Sequence, residues 1–184
     1  PLLLPLAAAR PGLPLLSRLR LTVGGGGVPT VSLPGSFLAS ATRSVSEFTG
    51  VAGTVEYDAG APTAAKVSAT IDASTVNTRE AQRDQHLKSA DFFDVEKFPQ
   101  ISFTSTGATK TSAGLEVTGD LTIHGVTKPV TLDVDPISAE LKDPWGGTHR
   151  GTKAVAKINR KDFGLTWNKA LESGGLLVGE DVAI

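Results

Sequence analysis

Histidine occurs three times, at His86, His124 and His149, and cysteine does not occur at all. Thiolate nucleophiles, disulfides and cysteine-based metal sites are therefore excluded. No two histidines stand at the i, i+4 spacing that puts two imidazoles on one helical face, so no metal site is expected. The acid pairs Asp91 with Asp94 and Glu180 with Asp181 could act as general acid and base only if they faced one bond in a shielded cleft. Nothing in the spacing places them so, and they read as solvated turn carboxylates. Ser89 and Ser105 have no base with an orienting partner beside them. Gly24 to Gly27 lacks the lysine and the following helix of a phosphate loop. Catalytic residues and cofactors are thus expected to be absent. What remains is an apolar set, Phe92, Phe93, Phe98, Phe103, Phe163, Trp145 and Trp167, whose chemistry is the burial of a chain-like ligand at about 25 cal/mol per Å² of apolar surface.

Composition agrees with a small apolar ligand rather than a polyanion. The 184 residues carry 18 Lys+Arg against 19 Asp+Glu, which creates no long-range field for nucleic acid. The length suits one domain. Pro1 to Arg10 is similar to the apolar part of a secretory signal, while prolines at 1, 5, 11 and 14 and Arg10, Arg18 and Arg20 interrupt it well short of the ~20 residues a membrane span needs. Residues 1–44 are read as an irregular or disordered leader and 45–184 as the folded domain, with the glycine run and Leu33-Pro34-Gly35 at the boundary.

From about residue 45 the apolar residues alternate with period two, the mark of strands with one buried face. Val67, Ala69 and Ile71 share one side of their strand, Ile101 and Phe103 that of another. Leu115, Val117, Gly119, Leu121 and Ile123 give the clearest case. Val130, Leu132 and Val134 follow, then Ala154, Ala156 and Ile158, and Val178 to Ile184 reads as a last strand cut short. His124-Gly125 and Asp162-Phe-Gly164 suggest hairpin links. Asn77-Thr-Arg-Glu80 has capping-box form and predicts a short polar helix over 78–87. The expected fold is an all-β, antiparallel eight-stranded barrel with one short helix, its first strand doubtful and its last truncated. Small inward residues such as Ala69, Gly119, Ala154 and Ala156 favour a cavity over a solid core.

Four stretches carry a family resemblance. They are Arg83-Asp-Gln-His-Leu-Lys-Ser-Ala-Asp-Phe-Phe-Asp94, Phe98-Pro-Gln-Ile-Ser-Phe103, Gly119-Asp-Leu-Thr-Ile-His-Gly-Val-Thr-Lys-Pro-Val130, and Asp143-Pro-Trp-Gly146 leading to Ile158-Asn-Arg-Lys-Asp-Phe-Gly-Leu-Thr-Trp167. In order and spacing they resemble the YceI-like, or polyisoprenoid-binding, family. The resemblance implies a lipocalin-like barrel whose tunnel holds polyisoprenoid, quinone-like or fatty-acid-derived chains, without catalysis. The family is bacterial and many members are exported, which implies a periplasmic or secreted location, with a cytoplasmic one as the alternative. The family's opening strand, with its Asp-x-x-His-Ser-like stretch, has no counterpart in residues 1–44.

The ligand is expected to lie along Val67, Ile71, Phe93, Phe98, Ile101, Phe103, Leu121, Ile123, Val130, Leu132, Ile158, Phe163 and Trp167, reached from a mouth near the helix. Arg83 and His86 are the candidates for contact with its head group. The expected partner is an apolar long-chain small molecule, and a homodimer is one expected assembly. Two other classes stay open: a hydrolase or isomerase acting on an apolar substrate, and a filled-barrel, stress-related interaction protein.

Overall fold

The computed structural model describes residues 46–170 and 177–184 in full, and the backbone of residues 19–23, 30–32, 35–41 and 44–45. The elements are β1 (Leu19–Val23), β2 (Thr30–Ser32), β3 (Gly35–Ala41), β4 (Ser44–Glu56), β5 (Lys66–Asp72), β6 (Val76–Asn77), α1 (Ala81–Lys88), β7 (Gln100–Lys110), β8 (Leu115–Ile123), β9 (Val126–Val134), β10 (Leu141–Lys142), β11 (Thr148–Thr152), β12 (Ala154–Val155), β13 (Lys157–Asn159) and β14 (Asp181–Ala183).

One antiparallel ladder runs β12-β9-β8-β7-β5-β4-β3-β14-β13, and a small sheet β1-β11-β10 stands apart from it. The two ends of the long ladder are neighbours in sequence. Ala156, between β12 and β13, exchanges two backbone hydrogen bonds with Ile184, both 2.9 Å. Residues 154–159 therefore act as one strand that meets β9 with its first half and β14 with its second, and the curled sheet returns on itself as an eight-stranded lipocalin-like barrel. The seam is short, because β12 reaches β9 only at Val134 and Asp133. The rest of that β9 edge has no strand beside it among the described residues, and it carries two features that discourage a foreign strand. Pro129 has no N–H to offer, and Lys128, the ladder partner of Leu121, puts a charge on the inward-facing row.

Pairing with the barrel sheet begins at Thr30, where β2 lies against β4, ahead of the expected boundary at residue 45. β3 bonds to both β4 and β14, and β1 to β11. Glycines and prolines between these short strands break the alternation into pieces too small for a period count. The signal-like Pro1 to Arg10 lies outside the described residues.

The helix starts three residues later than its capping-box pattern predicts. Asn77 Oδ1 accepts from Arg79 N at 2.8 Å, an Asx turn that competes with helix, and Arg79 sits at φ 64°. Glu80 becomes the N-cap. The helix is tied down by buried Thr78, whose N–H and hydroxyl both donate to Asp84 Oδ1 at 2.8 and 2.6 Å. Arg83 Nε donates to the same hydroxyl at 2.8 Å.

Of the two expected hairpin links, His124-Gly125 is one: the residues lie at φ 51° and 72° between the paired Ile123 and Val126, as a tight twisted turn requires. Asp162-Phe-Gly164 is not. Residues Arg160–Phe163 form a 3-10 turn capped by Asn159 Oδ1 and ended by Gly164 in the left-handed region. The asparagine cap and the glycine stop supply the signals of a helical turn, which composition alone does not separate from a hairpin.

Candidate functional site: the barrel interior

Register sets which side chains share the inner face. Val51, Ile71 and Ile101 form one level across β4, β5 and β7; Gly53, Ala69, Phe103 and Leu121 form the next across β4 to β8. Val55 pairs with Val67, Ser105 with Gly119, and Gly119 with Val130. Phe48, Ile71, Val76, Ile101, Phe103, Leu121, Ile123, Ile158 and Phe163 are buried in one cluster. By contrast Val51, Val55, Val67 and Ala69 on β4 and β5, and Val130 and Leu132 on β9, are only half-buried. Val51, Val67, Val130 and Leu132 pack against the buried cluster while keeping apolar surface accessible.

The small residues divide on inspection. A Cβ on Gly119 would lie 2.4 Å from Phe103 Cζ, so the ring of Phe103 occupies the room that Gly119 was expected to leave. Ala156 is buried and Ala154 exposed; neither opens the interior. Ala69 remains, joined by Gly53, where a Cβ would meet Ser68 O at 2.3 Å. Gly53 lets β4 and β5 approach closely, a role that alternation cannot reveal because glycine carries no hydropathy signal. Ser105, a polar residue on this face, sits at a bulge in β7. Its Oγ accepts from Val67 N at 2.8 Å and so replaces a lost ladder bond.

Aromatic rings gather around the helix segment and the β8–β9 turn. Phe93 meets Phe48 edge-on at 5.8 Å between ring centroids. Phe98 lies against the β8–β9 turn, 4.7 Å from the ring of His124, where a Cβ on Gly125 would reach 2.5 Å from Phe98 Cε1. Trp167 forms a ring trio with His86 and Phe92, at 4.6 and 5.2 Å. Of the residues expected to line a chain, Val67, Ile71, Ile101, Phe103, Leu121, Ile123, Val130, Leu132 and Ile158 share the inner face. Phe163 is buried in the core cluster, while Phe93, Phe98 and Trp167 pack against Phe48, His124 and His86.

The head-group candidates make internal contacts. His86 Nε2 is 2.8 Å from Asp91 Oδ2, and Arg83 Nη2 donates to Thr78 O at 2.9 Å beside its bond to the Thr78 hydroxyl. The acid pairs are likewise engaged. Asp94 bonds Lys97 at 2.9 Å and raises its pKa. Lys161 bonds Glu180 and holds it below the usual carboxylate range, and Asp181 pairs with Lys157 at 2.7 Å. No group of three or more His, Asp and Glu side chains converges among the described residues.

Sequence reasoning passed over Arg160. It is 4% exposed and donates to three carbonyls: Gly179 O at 2.8 Å, Val178 O at 3.5 Å, and Leu165 O. Burial lowers its pKa, and Glu180 opposes that shift. Asn168 adds a second tie, its Oδ1 accepting from Val178 N at 3.0 Å and its Nδ2 donating to Val178 O at 2.7 Å. The stretch from Asn159 to Asn168 is thus a staple: its cap, buried guanidinium, glycine stop and Phe163 fix the chain that leads into β14. Its concentration of polar residues was the available signal, and these positions close the barrel.

Residues 31–184 match the profile described as the YceI-like domain. Protein YceI of Salmonella arizonae is 48% identical over 114 residues, which cover 62% of this chain and 59% of the relative. The chain thus spans about three-fifths of the curated relatives it matches. A Campylobacter jejuni YCEI protein superposes with a TM-score of 0.59 at 30% identity, over 68% of this chain and 73% of the other. Burkholderia cenocepacia BcnA gives 0.63 at 19% identity, over 80% and 91%, a likeness of fold. With barrel, helix and all four sequence stretches in place, the chain belongs to the YceI-like domain family.

Proposed function

We propose that this protein binds, and carries, a long apolar chain of isoprenoid, quinone-like or fatty-acid-derived character inside the barrel, and performs no reaction on it. The observation that carries the reading is the half-buried inward row of Val51, Val55, Val67, Ala69, Val130 and Leu132. A filled barrel would bury these side chains, whereas an unfilled one leaves apolar surface that gains about 25 cal/mol for each Å² covered by a ligand. A flexible chain offsets part of that gain when it becomes ordered.

Membership of the YceI-like family supports the isoprenoid class. Arg83 and His86 are engaged in internal contacts, so this reading does not assign the head group to them. Selectivity then rests on chain length and shape, with Ser105 and Lys128 as polar groups on the inward face.

Titration of delipidated protein with a fluorescent conjugated polyene fatty acid is expected to give saturable enhancement at one site per barrel, displaced by a long-chain isoprenoid alcohol. Absence of saturable enhancement would reject the reading.

A further inference from the structure

Trp145 is 89% exposed and Leu141, four residues before it, 66% exposed, the two largest exposures among the large apolar side chains described. Both belong to the β10–β11 hairpin, outside the barrel ladder. The turn that presents the indole is held from within. Asp143 Oδ1 accepts from Trp145 N at 2.9 Å and Gly147 N at 2.7 Å, and its Oδ2 lies 2.6 Å from His149 Nε2. The backbone adds Gly146 N to Asp143 O at 3.1 Å and Asp143 N to Gly147 O at 2.8 Å, and Gly146 takes φ 87°. Five interactions hold the turn while its largest side chain faces water.

Charge on the hairpin is biased. Asp143 is turned inward onto backbone N–H groups and His149, which hold it below the usual carboxylate range. Glu140 pairs with Arg150 at 3.0 Å. Lys142 has no ion-pair partner among the described residues, so the side flanking Trp145 offers a cation and no unengaged carboxylate. Two apolar side chains at one turn are far too small for a protein interface, which needs about 800 Å² a side. They suit a soft boundary that accepts a single inserted ring. Indole, with an apolar body and one N–H donor, favours the level where headgroups meet acyl chains.

We propose that the Leu141–Trp145 hairpin docks the protein on a phospholipid bilayer, with Trp145 inserted at the headgroup boundary and Lys142 facing lipid phosphate. The inference rests on the reading of the barrel as a carrier, since a membrane is where a long apolar chain is collected or delivered.

The full chain should be mixed with vesicles of phosphatidylcholine and phosphatidylglycerol, and with vesicles whose acyl chains are brominated. Wild-type protein is expected to sediment with the vesicles, and bromine to quench its indole fluorescence. Trp145→Ala should weaken binding on the order of tenfold and abolish the quenching, with an unchanged melting temperature because the side chain packs on nothing. Trp167→Phe should keep the quenching. A wild-type protein that does not sediment, or a Trp145→Ala variant that binds as well as wild type, would overturn the proposal. Polyene binding without vesicle binding would remove the docking site and leave the carrier reading standing; Trp145-dependent vesicle binding without polyene binding would do the reverse.

Discussion

Phe163→Ala is expected to destabilise the protein by about 3–5 kcal/mol, the usual cost of deleting a fully enclosed phenyl ring. Phe163 is 1% exposed and ends the 3-10 turn that Arg160 begins, directly after the strand at 154–159. The ring therefore joins the barrel core to the chain that returns as β14. A domain is stable by only ~5–15 kcal/mol in total, so the loss takes a large share. Urea unfolding should show a lower midpoint with an unchanged slope, since the exposed area on unfolding changes little. A loss under about 1 kcal/mol would mean that the ring is not packed as described.

Val67→Asp is expected to cut the lipid carried per protein by more than about tenfold, because a carboxylate inside an apolar tunnel is neither solvated nor paired once a chain lies against it. Val67 faces inward opposite Val55 and is half-buried, so water reaches the carboxylate in the empty barrel and the fold survives. Phe103→Asp would also abolish carriage, but Phe103 is 7% exposed and fills the space over Gly119, so unfolding would confound the result. Equal lipid content in Val67→Asp and wild-type protein, with both folded by circular dichroism, would place the ligand elsewhere.

The parts of this molecule that were legible in sequence are those that a period can report. β8 alternates from Leu115 to Ile123 with every inward position buried, and its two-residue turn to β9 was evident in His124-Gly125. The strands before residue 45 were not legible, because glycine and proline cut them short and because β3 and β1 also pair with β14 and β11, distant in sequence. The helix start was misplaced because Asn77 makes an Asx turn in place of an N-cap, a choice settled by Asp84 and Arg83 gathering on Thr78.

Two further differences concern the interior. Gly119 promised space, but whether a glycine leaves a gap depends on the cross-strand neighbour, here Phe103. Arg160 gave no sign of burial, because arginine enters an interior only where carbonyls from several segments converge on it. The aromatic residues form two populations that composition cannot separate. Phe103 stands on the inner wall, while Phe93, Phe98 and Trp167 pack against Phe48, His124 and His86.

The most direct test of the carrier account is organic extraction of the purified, natively folded protein followed by mass spectrometry. The account predicts a long-chain isoprenoid, quinone-like or fatty-acid-derived molecule at close to one per barrel. Extracts with no such molecule, from protein that also stays empty after incubation with lipid, would contradict it.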